Sequence, residues 1–465
     1  MKLCPPYLRL PLLVVILSSS TFFFSCGSAN NKKESDIPDK VDFVNHIAPI
    51  IHTNCTPCHK TGGGGPFELI TYNNVAKRSK MVAFVTGTRY MPPWPADREY
   101  SHFSNERGLS DYEIDLIEKW YNTGAKRGLG KINYEKAIPE KRKPDLVLPI
   151  IPMKIYGDNR DQFYVVKVPF EIPRDTFVNV VEFVTGRNQV VHHANGHLLN
   201  YNYNKKDNVF KGDYFINTNS QESEFIDGFT KMNLIQDDGS LPIRVHSAIN
   251  YLPGMEYQPY PKGIGGFPIK RKGTFVLNDI HYGPYPKTIL DSSFINVYYS
   301  AEPPKRPFQE VMLGTNGVSK IVPPLVIPPG KIMKFTTQWQ VPFDISLVSI
   351  NPHMHLLGKS IKAYAIKPNG DSINLIRIPK WDFRWQYVYV FENLLRLPKG
   401  TVVRVEAVFD NTSTNPNNPN IPPKEIGERL DKNGASMRTT DEMLQFIITA
   451  LPYKKGDESI SLKKE

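Results

Sequence analysis

Apolar positions recur at helical spacing in two places near the start of the chain. From Asp42 to Ile51 they are Phe43, Ile47, Ile50 and Ile51; from Leu109 to Thr123 they are Tyr112, Ile114, Ile117 and Trp120, behind a capping Ser110. The spacing predicts two helices bracketing a loop-rich middle. Beyond about residue 131 the pattern changes to short β-branched runs cut by Pro, Gly and Asn. Strands are expected from Phe163 to Val168, Thr176 to Val184, Thr274 to Ile280, Thr401 to Phe409 and Met443 to Ala450, at spacings typical of sandwiches. Lys272-Gly273-Thr274 and Lys399-Gly400-Thr401 each open one of these strands, a weak echo consistent with two related β-modules divided near Pro303-Pro304 and Pro307. The tail from Lys454 reads as mobile.

The first 25 residues carry a basic start (Lys2, Arg9), an apolar run from Leu10 to Leu17, and small and aromatic residues up to Ser25-Cys26. This reads as an export signal. A cysteine directly after such a run, followed by a polar stretch, resembles a bacterial lipoprotein signal in which Cys26 carries the lipid. Phe23-Phe24-Ser25 departs from the strict pattern, and the alternative is an uncleaved N-terminal anchor. Either places the body outside the cytoplasm, in the cell envelope.

Composition fits an ordinary globular chain of 465 residues with 40% hydrophobic residues, too apolar for intrinsic disorder. Forty prolines favour β-structure with many turns over long helices. The formal charge of +11 is scattered and no nucleic-acid motif accompanies it, so nucleic acid is not an expected partner. Of four cysteines, Cys4 lies in the leader and Cys26 would carry lipid, leaving Cys55 and Cys58 in the body. A disulfide scaffold is excluded.

Cys55-Thr56-Pro57-Cys58-His59 is the c-type haem attachment pattern, in which two thiols bond to the macrocycle and the adjacent histidine binds iron. A zinc pair lacks a second set of ligands, and a disulfide-exchange motif would not be followed by Gly62-Gly63-Gly64-Gly65-Pro66. Met91, in Tyr90-Met91-Pro92-Pro93-Trp94-Pro95, is the expected opposite ligand, with Met81 or His102 as alternatives. His46 and His52 read as surface or packing histidines. Residues 41 to 130 resemble bacterial c-type cytochrome domains with a Met-Pro-Pro-Trp loop.

Five of the eleven histidines form three compact clusters in the β-region: His192-His193, His281-Tyr282-Gly283 and His353-Met354-His355. On a strand, residues two apart share a face, so His353 and His355 can offer both imidazoles to one metal. Adjacent His192 and His193 can do so only where a strand end or bulge turns them together, and His281 could supply a third nitrogen. In the last strand Leu444, Phe446 and Ile448 read as the core face, which turns Met443 and Gln445 the other way. A thioether beside imidazoles suits copper better than zinc.

The chain from about 150 to 452 thereby resembles the copper type II ascorbate-dependent monooxygenases, the family of peptidylglycine α-hydroxylating monooxygenase and dopamine β-monooxygenase. The matching pieces are the His192-His193 pair, His281-Tyr282-Gly283, the segment from His353 to Lys359, and Thr440-Asp441-Glu442-Met443. The resemblance implies that His192, His193 and His281 hold an electron-transferring copper, and that His353, His355 and Met443 hold the copper that binds dioxygen. It also implies two jelly-roll sandwiches facing each other across a solvent-filled cleft. His197 and His246 match no family role and read as structural, His197 being the substitute if the first pair is not bidentate.

The expected fold is mainly β with a small helical domain. Its boundaries are a signal peptide at 1–25, a tether at 26–40, a c-type cytochrome domain at 41–130, copper sandwiches at 131–305 and 306–455, and a mobile tail at 456–465. The expected function is an exported, lipid-anchored monooxygenase that hydroxylates a C–H bond with dioxygen. Two copper ions and covalent haem c are its cofactors, and ascorbate or an envelope donor acting through the haem is its reductant. Asn351 replaces the arginine that clamps a substrate carboxylate in peptide-hydroxylating members, and Gln445 and Ile447 replace their Asn and Tyr, so a C-terminal glycine peptide is a poor candidate. The alternative is a non-enzymatic haem and copper electron-transfer or copper-binding lipoprotein.

Overall fold

A computed structural model describes residues 37–132, 142–218, 228–255, 263–431, 434–435 and 439–463. The signal peptide, most of the tether and Cys26 lie outside the described residues. No described helix is long and apolar enough to cross a membrane.

The N-terminal part is helical. Asp42 caps a wide turn at Phe43–Ile47 that runs into a helix at Ala48–Asn54. Ser110 caps the helix Asp111–Asn122, its hydroxyl accepting from Glu113 N–H while the Glu113 side chain reaches back to the Ser110 amide. Trp120 is fully buried against Phe43. The stretch between the two expected helices is not all loop, because Tyr72–Ala76 and Ser79–Gly87 are also helical. Their periodicity was hidden by their shortness and by Met81 and Phe84, which are exposed.

The rest of the molecule is predominantly β-sheet, in two successive sandwiches. In the first, a five-stranded antiparallel sheet runs in the order Phe215–Asn217, Gln162–Glu171, Lys272–Tyr282, Val191–Asn200, Ile243–Tyr251. It packs on a sheet ordered Leu146–Pro149, Phe294–Tyr299, Thr176–Val184, Phe267–Ile269. Val166, Val191, Leu198 and Leu277 meet Val178, Ile295 and Val297 in the core between them. The second sandwich pairs a sheet ordered Gln309–Gly314, Leu444–Pro452, Ile345–Met354, Tyr389–Leu397 with one ordered Ile321–Val322, Ile332–Gln340, Val402–Asp410, Gly358–Ile366, Ser372–Ile378. Leu347, Ile350 and Phe446 there face Phe335, Ile361 and Val405.

Two expectations fail. The Lys-Gly-Thr echo does not mark equivalent strands: the strand after Lys272 lies in the histidine-bearing sheet of its sandwich, whereas Val402–Asp410 lies in the sheet opposite His353. The two glycines also do different work. Gly400 sits in a turn at φ +83°, while Gly273 is within the strand, under the Phe170 ring. Nor is the tail loose. Asp457 is buried, its carboxylate bidentate to Arg306 at 2.7 Å and accepting from Ser346 Oγ, and Leu462 packs with Val348, Leu394 and Leu451. Apolar residues spaced too sparsely to show a period, and a partner more than a hundred residues away, anchor it.

The helical part is docked on both sandwiches. Asn105 exchanges hydrogen bonds with the backbone at Val388 and Val390, Asp97 pairs with Arg377, and Trp94 and Phe103 pack on Tyr389. On the first sandwich, Cys58 Sγ lies 3.3 Å from Pro253 O.

Candidate functional site

Cys55 and Cys58 are not joined to each other, and burial pushes the Cys55 thiol up to about 12. His59 Nδ1 is 2.9 Å from Phe67 O, which fixes the ring and directs Nε2 to its other side. Gly65 is required where it stands, since a Cβ there would fall 2.6 Å from His59 Nδ1. Both cysteines, His59 and Met91 line a single cavity of about 1420 Å³, as does Met81; His102 does not line it. Two thiols, a histidine held by a carbonyl and a thioether lining the same cavity fit a covalently held haem. His46 accepts from Asp42 N–H and His52 Nε2 lies 3.3 Å from Ile70 O, consistent with packing roles.

The three-histidine cluster is built by a bulge. Val191 pairs with Tyr282 and His193 with His281, so His192 is the extra residue between them. The bulge turns His192 to the side of His281, with ring centroids 4.8 Å apart, while His193 lies 5.0 Å from His281. Gly283 makes room for His192, because a Cβ there would meet its Nε2 at 2.2 Å. His193 gives Nε2 to Asp279 at 2.8 Å and His281 gives Nε2 to Asp161 at 2.7 Å. The Nδ1 atoms of His193 and His281 are buried with no hydrogen-bond partner. A buried imidazole nitrogen left unpaired costs free energy unless something such as a metal ion takes its lone pair.

Asp161 comes close enough to compete as a ligand. The donor atoms of Asp161, His192 and His281 all lie within 4.8 Å of one another. Burial works against the charge on Asp279, yet the imidazoles of His193 and His281 hold its pKa down to about 2. The hydrogen bond from His281 likewise holds Asp161 below the usual carboxylate range. Burial, reinforced by His281, lowers His192 to about 4, so its ring stays neutral and able to ligate near pH 7.

The second cluster sits where Ile345–Met354 ends. His353 and His355 lie 5.0 Å apart at right angles. His353 Nδ1 is held by Gln386 Oε1 while its Nε2 is buried without a partner. His355 Nδ1 is 2.9 Å from Asp441 O. Met443 is buried just before the strand Leu444–Pro452, and it is not part of the core that takes in Leu444, Phe446 and Ile448. Glu442 ties these pieces together, its carboxylate accepting from the backbone N–H groups of His355, Leu357 and Met443. Burial nonetheless pushes that carboxyl up to about 8. Burial and the neighbouring His355 lower His353 to about 4. Histidine nitrogens gathered in two clusters, with His192 and His353 held neutral near pH 7, suit a transition-metal ion such as copper.

The clusters do not face each other across solvent, as the resemblance implied. Phe383 stands between them, 5.4 Å from His193 and 5.8 Å from His355, both edge-on. A large apolar side chain from the segment before Tyr389–Leu397 fills the space, which no motif could announce. His197 and His246 lie against each other, with rings 5.7 Å apart and His197 Nδ1 2.8 Å from His246 O; the His246 amide donates to Glu310, and the His246 Nδ1 is also buried without a partner. Asn351, Gln445 and Ile447 are engaged within the protein, with Asn351 donating to Tyr387 O and Gln445 to Thr315 O, while Ile447 is buried.

Asp161, Asp279, Phe383, Gln386 and Glu442 were not found from sequence as site residues. Asp279 alone had a readable signal, being two residues before His281 on one strand and so on the same face.

No family model matches the chain, and no curated protein matches it. Among solved structures it has a remote similarity to the structure of infectious bursal disease virus Gt strain, at 11% identity over 70% of this chain and 77% of that one, with a TM-score of 0.16. It has a like remote similarity to the crystal structure of the infectious bursal disease virus VP2 subviral particle, at 7% identity over 69% of this chain and 75% of that one, with a TM-score of 0.17.

Proposed function

We propose that the protein is an exported copper-dependent monooxygenase that hydroxylates a C–H bond with dioxygen and receives electrons through a covalently attached haem. The haem would be held by Cys55, Cys58, His59 and Met91 in a small cytochrome c domain. One copper would be held by His192, His193 and His281, the other by His353, His355 and Met443, on two jelly-roll sandwiches. Copper at these sites supplies one-electron redox chemistry and dioxygen activation.

The observation that carries this reading is the set of ring nitrogens. His193 and His281 each present an unpartnered Nδ1, His353 an unpartnered Nε2, and in each ring the other nitrogen is engaged by a side-chain oxygen. Histidines prepared in this way have their tautomer and orientation set before the metal arrives. Asp279 and Asp161 orient the first cluster, Gln386 and the Asp441 carbonyl orient the second, and Glu442 holds the Met443 backbone beside His355. The cavity supports the electron supply, because His59 and Met91 line it together with His192 and Arg384.

The test is the copper-to-haem ratio of the purified, copper-reconstituted chain, by elemental analysis beside the haem spectrum. Two copper ions per haem are expected, followed by oxygen uptake in a screen of C–H substrates. A ratio near zero would overturn the reading and leave a haem electron carrier on a β-scaffold.

A further inference from the structure

We infer that Phe383 is a positioning residue, a dry aromatic partition that holds the two histidine clusters at one fixed spacing; this rests on the two-metal reading above. Phe383 is 6% exposed and comes from the second sandwich, between Ser372–Ile378 and Tyr389–Leu397. Its ring meets His193 edge-on, lies 6.5 Å from His281, and is backed by Phe163 at 6.2 Å, the ring that stacks on His281 at 4.4 Å. On the other side it meets His355 at an interplanar angle of 90°. One side chain thus touches rings of both clusters.

The segment that carries Phe383 is fastened at each step. Gln386 Nε2 donates to Phe383 O at 3.0 Å while its Oε1 holds His353 Nδ1. Gln386 O accepts from Asn250 Nδ2 of the first sandwich at 3.1 Å, so the same few residues orient a ligand and cross the interface. Glu310 adds a second crossing, its carboxylate accepting from the amides of His246 and Ser247. A packed ring fastened from both sides excludes water and resists a change in spacing. The phenyl ring carries no titratable proton and no hydrogen-bonding group, so it separates the clusters without itself offering a hydrogen-bonded path between them.

The test uses the full chain loaded with copper alone. Pulsed dipolar spectroscopy of the two cupric ions should give a single narrow distance, and the ions should relax bulk water protons weakly. Phe383→Ala should widen the distance distribution about twofold and raise the water relaxation, because the cavity collapses only in part. Phe383→Tyr should keep the narrow distance, and if Phe383→Ala does not fold, Phe383→Leu carries the same comparison. An unchanged distribution and unchanged water relaxation in a Phe383→Ala or Phe383→Leu chain that still binds two copper ions would overturn the inference. A broad distribution in the wild-type chain would do so as well. A wild-type chain that binds fewer than two copper ions would overturn the two-metal reading itself, a separate and recognisable failure.

Discussion

His193 and His281 stand directly opposite one another on neighbouring antiparallel strands, yet each hands its Nε2 to a different carboxylate, Asp279 and Asp161 respectively. The paired strands set the spacing of the rings, and the carboxylates set which nitrogen each ring turns inward.

Removing those carboxylates should therefore weaken metal binding without removing a histidine. Asp279→Asn should lower copper affinity at the first cluster by about 10- to 100-fold, the usual range for an outer partner of a ligand. Asp161→Asn should have a smaller effect through orientation alone, because Asp161 is half exposed. A loss as large as that from His281→Ala would instead mark Asp161 as a ligand. Competition titration with a copper chelator measures all three.

The metal-free protein should lose stability as pH falls below neutrality. His192 and His353 have folded values of about 4, below the ordinary 6.5. Between these values the unfolded chain binds protons that the folded chain refuses, so stability rises with pH across that window and is lost as pH falls from 6.5 toward 4. Protonation of His192 and His353 should oppose copper binding little from pH 7.5 to pH 6, since these two rings are already neutral there. Urea midpoints at pH 7 and pH 5, with and without copper, check both statements.

At the proposed haem site, Met91→Ala should change the spin state and optical spectrum of a bound haem iron, whereas Met81→Ala should leave them unchanged. Both methionines line the cavity, but Met81 is 52% exposed and Met91 is tethered by its amide to Val85 O. The reverse result would exchange their roles.

The C-terminal tail should matter for stability. Arg306 and Asp457 form a buried bidentate pair, and although burial opposes its charge, Arg306 holds Asp457 down to about 2. Asp457→Ala leaves the Arg306 guanidinium buried without its carboxylate and should cost about 3–5 kcal/mol in denaturant unfolding. Because the folded value lies below the unfolded one, this contribution is present above about pH 4 and fades toward pH 2.

Much of the local structure was legible in the chain. Thr176–Val184 matches the expected strand end to end, and Ser110 caps its helix as expected, because alternation and capping chemistry are decided within a few residues. That Cys55, Cys58 and His59 would line one cavity was legible for the same reason, the three lying within five residues of one another. The second half of each site was less so: that His192 would occupy a bulge depended on how Val191–Asn200 pairs with Lys272–Tyr282, about eighty residues away.

The sequence by itself thus determined which residues could be ligands, since His353 and His355 two apart, or Cys55 and Cys58 around two residues, constrain geometry through the backbone alone. Only the tertiary structure decided which nitrogen each histidine turns inward, because Asp161 and Gln386 arrive from loops and Asp279 reaches His193 from the neighbouring strand. It also decided that Phe383 fills the space between the clusters and that Asp457 anchors the tail. Hydrogen-bond partners and packed rings are chosen by which elements come together in space, and no spacing along the chain encodes that choice.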